Sequence, residues 1–298
     1  MNFPRTLMLS AALALGLAAC QSLPERAGPE AGQATAAAVE PAANDNLNAT
    51  AWLQTAVEYR LIAAQTYRAA LAQLDRALQT PDWDALTRDD RDTPATVLPP
   101  AVIVDIDETV LDNSPYQARL VRDGRDYDDP SWDAWVHERK AKPVPGALEF
   151  AQAAAARGVT VFYLSNRAVH LEESTLANLR AVGFPIDSRE QFLGLGYLVE
   201  GCEQHGSDKG CRRRHVGRTH RVLMQFGDQI GDLVSLTAKT REGREQAVAP
   251  YLDWVGERWW LLPNPSYGSW EPALFNNDWS LPPAERRRLK LQALDYAE

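Results

Sequence analysis

Hydrophobic positions divide the chain into regions with different rules. Arg5 is followed by an apolar run from Leu7 to Ala19 and small residues before Cys20. A secretory signal is predicted, because the run is too short and too alanine-rich for a membrane span of about 20 apolar residues. Residues 21–48 are rich in Ala, Pro, Glu, Gly, Gln and Asn, with almost no large apolar side chain after Leu23, which predicts a flexible tether. From Ala51 apolar residues recur at helical spacing (Trp52, Ala56, Tyr59, Ala63, Tyr67, Ala70, Leu71, Leu74, Leu78) and predict one long amphipathic helix ending near Pro81. Its aromatic stripe reads as packing against the body rather than as a ligand-stacking surface. Residues 82–100 are polar and contain proline, a connection to the first buried strand.

That strand, Ala101-Val102-Ile103-Val104, is apolar without alternation, as a parallel strand covered on both faces must be. A helical segment over 146–157 leads to Gly158 and a second run, Val159-Thr160-Val161-Phe162-Tyr163-Leu164. Another helix follows over 170–182, and a third run, Arg221-Val222-Leu223-Met224-Gln225-Phe226, ends at Gly227-Asp228. This βαβ rhythm predicts one α/β domain with a smaller, mostly helical accessory part that includes the N-terminal helix. Asp105, Ser165 and Asp228 then lie just past three strand ends, the edge where open α/β sheets bind ligands.

Composition narrows the function. With 45% hydrophobic and 24% charged residues the chain can bury a sizeable core, so disorder is excluded. Lys and Arg number 31 against 40 Asp and Glu, and the net charge of −9 disfavours binding of a nucleic acid polymer. An anionic substrate therefore needs local cations or a metal.

Asp105 and Asp107 stand two residues apart straight after a buried strand, and Asp228 and Asp232 supply further acidic oxygens at another strand end. Crowded carboxylates repel and require a cation or a proton. An all-oxygen set suits Mg²⁺ better than zinc. Ser165-Asn166-Arg167 and Lys209 offer hydroxyl, amide, guanidinium and ammonium donors for a phosphate.

These residues carry a resemblance. The stretch Val102-Ile103-Val104-Asp105-Ile106-Asp107-Glu108-Thr109-Val110-Leu111-Asp112-Asn113-Ser114-Pro115-Tyr116 resembles the first motif of class C acid phosphatases in the haloacid-dehalogenase-like (HAD) superfamily. Leu164-Ser165-Asn166-Arg167, Asp208-Lys209 and Gly227-Asp228-Gln229-Ile230-Gly231-Asp232-Leu233 resemble the next three motifs, and residues 263–271 resemble a further family stretch. The resemblance implies a HAD-like Rossmannoid parallel sheet flanked by helices, with a cap-like helical subdomain. It also implies a Mg²⁺-dependent phosphomonoesterase acting on 5′-nucleotides and similar small esters. Asp105 would attack phosphorus. Asp107 would start protonated, serve the leaving alcohol as acid, and then act as base. Ser165, Asn166 and Lys209 would hold phosphoryl oxygens, while Asp105, the Asp107 carbonyl, Asp228 and Asp232 would form the metal shell. Tyr267 would stack on the organic part of the substrate.

Two positions depart from the family pattern. Gln229 stands where bacterial members commonly carry Asn, and Gly210 follows Lys209, which keeps Lys239 as a second candidate for the phosphate lysine. Gln229 also motivates the alternative of a binding or storage lipoprotein, and phosphotransfer to small alcohols is a third outcome.

Leu17-Ala18-Ala19-Cys20 resembles a bacterial lipobox, with a soluble secreted protein as the alternative. The expected organisation is a signal peptide over 1–19, lipidated Cys20 and linker over 20–48, and a phosphatase domain over 49–298. Lipid at Cys20 followed by Gln21 implies a cell-envelope protein on the outer membrane. Cys202, His205, Cys211 and His215 fit either a zinc site or, in an oxidising compartment, a Cys202–Cys211 disulfide, which is favoured. Arg212-Arg213-Arg214 reads either as a guide for anions or as a solvated helix face. Trp132, Trp135, Trp259, Trp260 and Trp270 read mainly as packing. No histidine-nucleophile motif, Ser-His-Asp set or Gly-rich nucleotide fingerprint stands out.

Overall fold

The computed structural model describes residues 44–297. The expected signal over 1–19, Cys20 and most of the tether lie outside the described residues. The strands are β1 (Pro100–Val104), β2 (Leu111–Asp112), β3 (Lys142–Pro143), β4 (Thr160–Ala168), β5 (Phe192–Leu195), β6 (Arg221–Gly227) and β7 (Trp259–Leu261). Five of them form one parallel sheet in the order β5-β4-β1-β6-β7, and β2 pairs antiparallel with β3. Helices flank the sheet, giving the α/β class that the hydrophobic runs predict.

Each central strand is apolar on both sides because it serves two cores. Val102 and Val104 of β1 join Val161, Tyr163 and Phe226, while Ala101 and Ile103 join Phe162, Leu164, Val222 and Trp259. Successive side chains point to opposite faces, so these are the two sides of one sheet. Register then sets the working edge: Val104 lies beside Tyr163 on one side and beside Phe226 on the other. Asp105, Ser165 and Asp228 consequently emerge together.

The long N-terminal helix is divided. α1 spans Leu47–Thr55 and α2 spans Val57–Gln79, separated by Ala56 in an extended conformation. No Gly or Pro marks the break. Tertiary contact decides it: α1 turns to pack on α3 (Ser114–Asp123), and Asn46 Nδ2 donates to Gln117 Oε1 (3.2 Å). This first helix thus starts at Leu47. Along α2 the buried positions are Tyr59, Ala63, Tyr67, Ala70, Leu74 and Ala77, a single stripe at helical spacing. Tyr67 stacks on Phe226 at 5.3 Å, and α2 also packs on α5 (Ala147–Ala155). Thus α2 belongs to the layer covering the sheet. Only α1 joins the accessory group, with α3 and α4 (Asp129–Glu138).

Residues 82–100 are more than a polar connection. Trp83 is buried and its Nε1 donates to the Leu223 carbonyl (2.8 Å), while the Ala85 carbonyl accepts from Gln225 (2.7 Å) and Trp259 (2.9 Å). Asp84 holds Arg91 through two bonds of 2.7 and 2.8 Å. Polar composition hid a segment that is buried by pairing.

Beyond β4 lie α6 (Glu172–Ala181), α7 (Gly210–Thr219), α8 (Ile230–Leu233), α9 (Arg241–Val248), α10 (Trp270–Ala273) and α11 (Pro283–Gln292). Among the described residues no helix is long and apolar enough to cross a membrane.

Candidate active site

The turn after β1 is built by backbone hydrogen bonds. Val110 and Leu111 N–H groups both donate to the Ile106 carbonyl (2.9 and 2.8 Å), and Glu108 takes the left-handed region at φ 57°. For a non-glycine residue that conformation is costly and is characteristic of functional turns. Asp105 and Asp107 are thereby presented on one edge with different surroundings.

Asp105 is buried, and Lys209, itself buried, donates from Nζ to its Oδ1. The same Nζ lies 2.8 Å from Asp232 Oδ1 and 2.8 Å from the Leu164 carbonyl. Asp105, Asp228 and Asp232 each offer a carboxylate oxygen, and these oxygens lie within 4.8 Å of one another. Burial pushes Asp105 well above the usual carboxylate range; Lys209 opposes this, and Asp232, Asp228 and Asp107 reinforce it. Asp228 is pushed up to about 7, first by burial and then by the charge of Asp232. Glu108 is likewise raised by burial and by Asp107, and its Oε2 is buried without a partner. The site holds more acid than its lysine can balance. An all-oxygen donor set short of positive charge fits a hard divalent cation.

Asp107 sits apart from this trio. Its Oδ1 accepts from Arg167 Nη2 (2.8 Å) and Nε (3.0 Å) and from Asn113 Nδ2 (2.8 Å), and its Oδ2 accepts from the Ser165 hydroxyl (3.2 Å). The side-chain trio that gathers within reach of one ion does not include Asp107. Ser165 is buried in an irregular stretch of β4, which continues through Ala168 rather than stopping at Leu164. Asn166 is exposed, and its Oδ1 accepts from Arg212 Nη2 (2.8 Å).

Lys209 touches Asp105, whereas Lys239 is exposed and its carbonyl accepts from Asn277. Gly210 has a packing reason: a Cβ there would lie 2.5 Å from Ser235 Oγ and 2.7 Å from Asp208 Oδ1. Gln229 Nε2 donates to Asp228 Oδ2 (2.9 Å), and Asn264 Nδ2 donates to the same oxygen (2.7 Å). Tyr267 is half-buried in the adjoining turn.

The arginine run follows neither expectation. Arg212 and Arg213 are fully buried: Arg212 donates to the Ser165 carbonyl (2.6 Å), and Arg213 pairs with Asp90 (2.7 Å) while donating to the Asp232 carbonyl (3.2 Å). They tie loops together behind the site. Cys202 and Cys211 are joined as a disulfide with Cα atoms 5.7 Å apart, and His215 Nε2 faces the Tyr197 hydroxyl (3.3 Å). Trp135, Trp259 and Trp260 are buried, and Trp132 packs on Tyr116 (5.2 Å) and lies 5.4 Å from the Arg167 guanidinium carbon.

Asn113, Arg167 and Asn264 are the functional neighbours that pattern alone did not single out for these roles. Asn113 and Arg167 lay inside informative stretches, but only the folded geometry shows that both serve Asp107.

The family model for the HAD superfamily, subfamily IIIB (acid phosphatase), matches residues 8–270. The chain belongs to that subfamily. Its fold is similar to that of the class C acid phosphatase from Bacillus anthracis, solved with tungstate bound, with a TM-score of 0.74 and 32% identity over 85% of this chain and 98% of that one. Among curated relatives it is 29% identical over 144 residues to acid phosphatase 1 of Solanum lycopersicum, covering 47% of this chain and 54% of that protein. It is 26% identical over 166 residues to the stem 31 kDa glycoprotein of Glycine max, covering 55% of this chain and 58% of that protein. The chain thus spans little more than half the length of these curated relatives.

Proposed function

We propose that the protein is an exported, lipid-anchored acid phosphatase that hydrolyses small organic phosphomonoesters, 5′-nucleotides among them, with Mg²⁺. The observation that carries this reading is the convergence of Asp105, Asp228 and Asp232 within 4.8 Å of one another, with Lys209 on Asp105. Membership of the acid phosphatase subfamily and the likeness to an enzyme that accepts tungstate, a tetrahedral oxyanion, support it.

Asp105, Asp228 and Asp232, with the Asp107 carbonyl, would hold Mg²⁺, which when bound offsets charge on the transferring phosphoryl oxygens. Asp105 Oδ attacks phosphorus, the bond to the ester oxygen breaks, and that oxygen takes a proton from Asp107. Oδ2 suits this task, because Oδ1 already carries the shorter bonds from Arg167 and Asn113. Water then attacks the aspartyl-phosphate, its proton passes to Asp107, and the bond between phosphorus and Asp105 breaks to release orthophosphate. Lys209 and Ser165 orient phosphoryl oxygens, and Tyr267 faces the organic part.

Phosphate release from nucleoside 5′-monophosphates is measured with Mg²⁺, with EDTA, and with Asp105→Asn. Fast release only in the first supports the proposal, whereas equal rates in all three overturn it. Added glycerol separates hydrolysis from phosphotransfer. The binding-protein alternative predicts ligand protection in a thermal melt without turnover. Export and anchoring rest on the segment ending at Cys20, and a Cys202–Cys211 bridge suits an oxidising compartment. Cys20→Ser should move the protein from membrane to soluble fractions; an unchanged distribution rejects the anchor.

A further inference from the structure

The proposed reaction gives no task to Gln229, yet both ends of its amide are committed. Nε2 donates to Asp228 Oδ2 (2.9 Å) and to the Tyr267 carbonyl (3.4 Å). Oε1 accepts from the Ser269 N–H (3.0 Å) and the Ser269 hydroxyl (3.4 Å). One side chain therefore links an acid of the cluster to the turn that follows Asn264 and carries Tyr267.

The turn can receive this amide only because residue 268 is glycine. Gly268 lies at φ +146°, and a Cβ built there would fall 2.1 Å from Gln229 Nε2 and 2.4 Å from Cδ and Oε1. Real side chains do not tolerate such contacts, and Gly alone adopts this backbone region freely. Gln229 and Gly268 are thus complementary in space as well as in hydrogen bonding. On the far side, Arg244 donates to Ser269 Oγ and steadies the turn.

We infer that Gln229 is a positioning residue that locks the Tyr267–Ser269 turn to Asp228 and so sets affinity for the organic part of the substrate rather than for its phosphoryl group. The inference rests on the proposed function, in which Tyr267 faces that organic part. Asn at 229 is shorter by one carbon–carbon bond, about 1.5 Å, and cannot span from Asp228 to Ser269. Asp228 keeps its bond from Asn264, so the phosphoryl end of the site remains supported.

Binding is measured by calorimetry on the full chain in detergent with Mg²⁺, in an Asp105→Asn background that stops turnover. The probes are adenosine 5′-monophosphate and orthophosphate. Gln229→Asn should weaken the nucleotide about tenfold, the equivalent of one well-made hydrogen bond, and orthophosphate by less than about twofold. Gly268→Ala should reproduce that split by displacing the amide; should it fail to fold by circular dichroism, Gln229→Asn decides alone. Equal losses for both probes, or no change in either, overturn the inference while leaving the phosphatase reading intact. A parent protein that binds neither probe overturns the phosphatase reading, and the inference with it.

Discussion

Arg167 grips Asp107 with two of its nitrogens, Nη2 at 2.8 Å and Nε at 3.0 Å from Oδ1, and the arginine side chain is only 1% exposed. A buried guanidinium with fixed neighbours at Asn113 (3.3 Å) and Thr175 (3.3 Å) gives the carboxyl one orientation. Arg167→Lys keeps the charge and loses the fork. Its kcat should fall roughly 100-fold, within the range attributed to a positioned acid. The loss should be larger for alkyl phosphates than for p-nitrophenyl phosphate, whose leaving group needs little protonation. Equal losses on both substrates would separate Arg167 from proton transfer.

The raised carboxyls predict how the metal-free protein responds to pH. Asp228 titrates at about 7 in the fold against an ordinary 3.8, and Asp105 is shifted the same way, so the native state holds protons that the unfolded chain has released. Stability therefore falls as pH rises from about 4 to about 7. Thermal melts in EDTA should show a lower Tm at pH 7.5 than at pH 5, and Mg²⁺ should restore more at pH 7.5 than at pH 5. A metal increment that is flat across this window would contradict the charge-crowding account.

Three consecutive arginines should behave differently. Arg213 is buried against Asp90, so Arg213→Ala strands a buried acid and should cost about 3–5 kcal/mol in urea denaturation. Arg214 is partly exposed and lies 3.5 Å from Asp92, so Arg214→Ala should cost less than about 1 kcal/mol. If the run served to steer anions, kcat/KM of the Arg214 variant would drop steeply at low ionic strength; no such drop is expected.

The Cys202–Cys211 bridge closes a loop with a sequence separation of 9 that contains Lys209. Loop closure on this scale is worth about 2.5 kcal/mol by chain entropy. Reduction, or Cys202→Ser with Cys211→Ser, should lower stability by that order and raise KM for phosphoesters by loosening the approach to Lys209. Denaturation curves with and without reductant provide the comparison.

The buried strands were legible because a strand covered on both faces leaves a run such as Ala101 to Val104 in the sequence. The edge strands at Phe192–Leu195 and Trp259–Leu261 were not, since they span only four and three residues and resemble loop hydrophobics. Asp105, Asp228, Asp232 and Lys209 could be nominated from their types and strand-end positions, and the fold brings them together. The partners of Asp107 could not, because the direction in which Arg167 points depends on Asn113, Thr175 and Trp132, which reach it from separate elements. The buried roles of Arg212 and Arg213 were hidden for the same reason: charge in a string of letters says nothing about which acid or carbonyl waits opposite.

The order β5-β4-β1-β6-β7 has a consequence for a chain that is still emerging or being threaded. Asp105 and Asp228 meet only once β6 has docked against β1, whose paired residues Ala101 and Val222 lie 121 residues apart in the sequence. A chain that stops before β6 therefore holds no assembled acid centre, whatever else of the sheet it has formed.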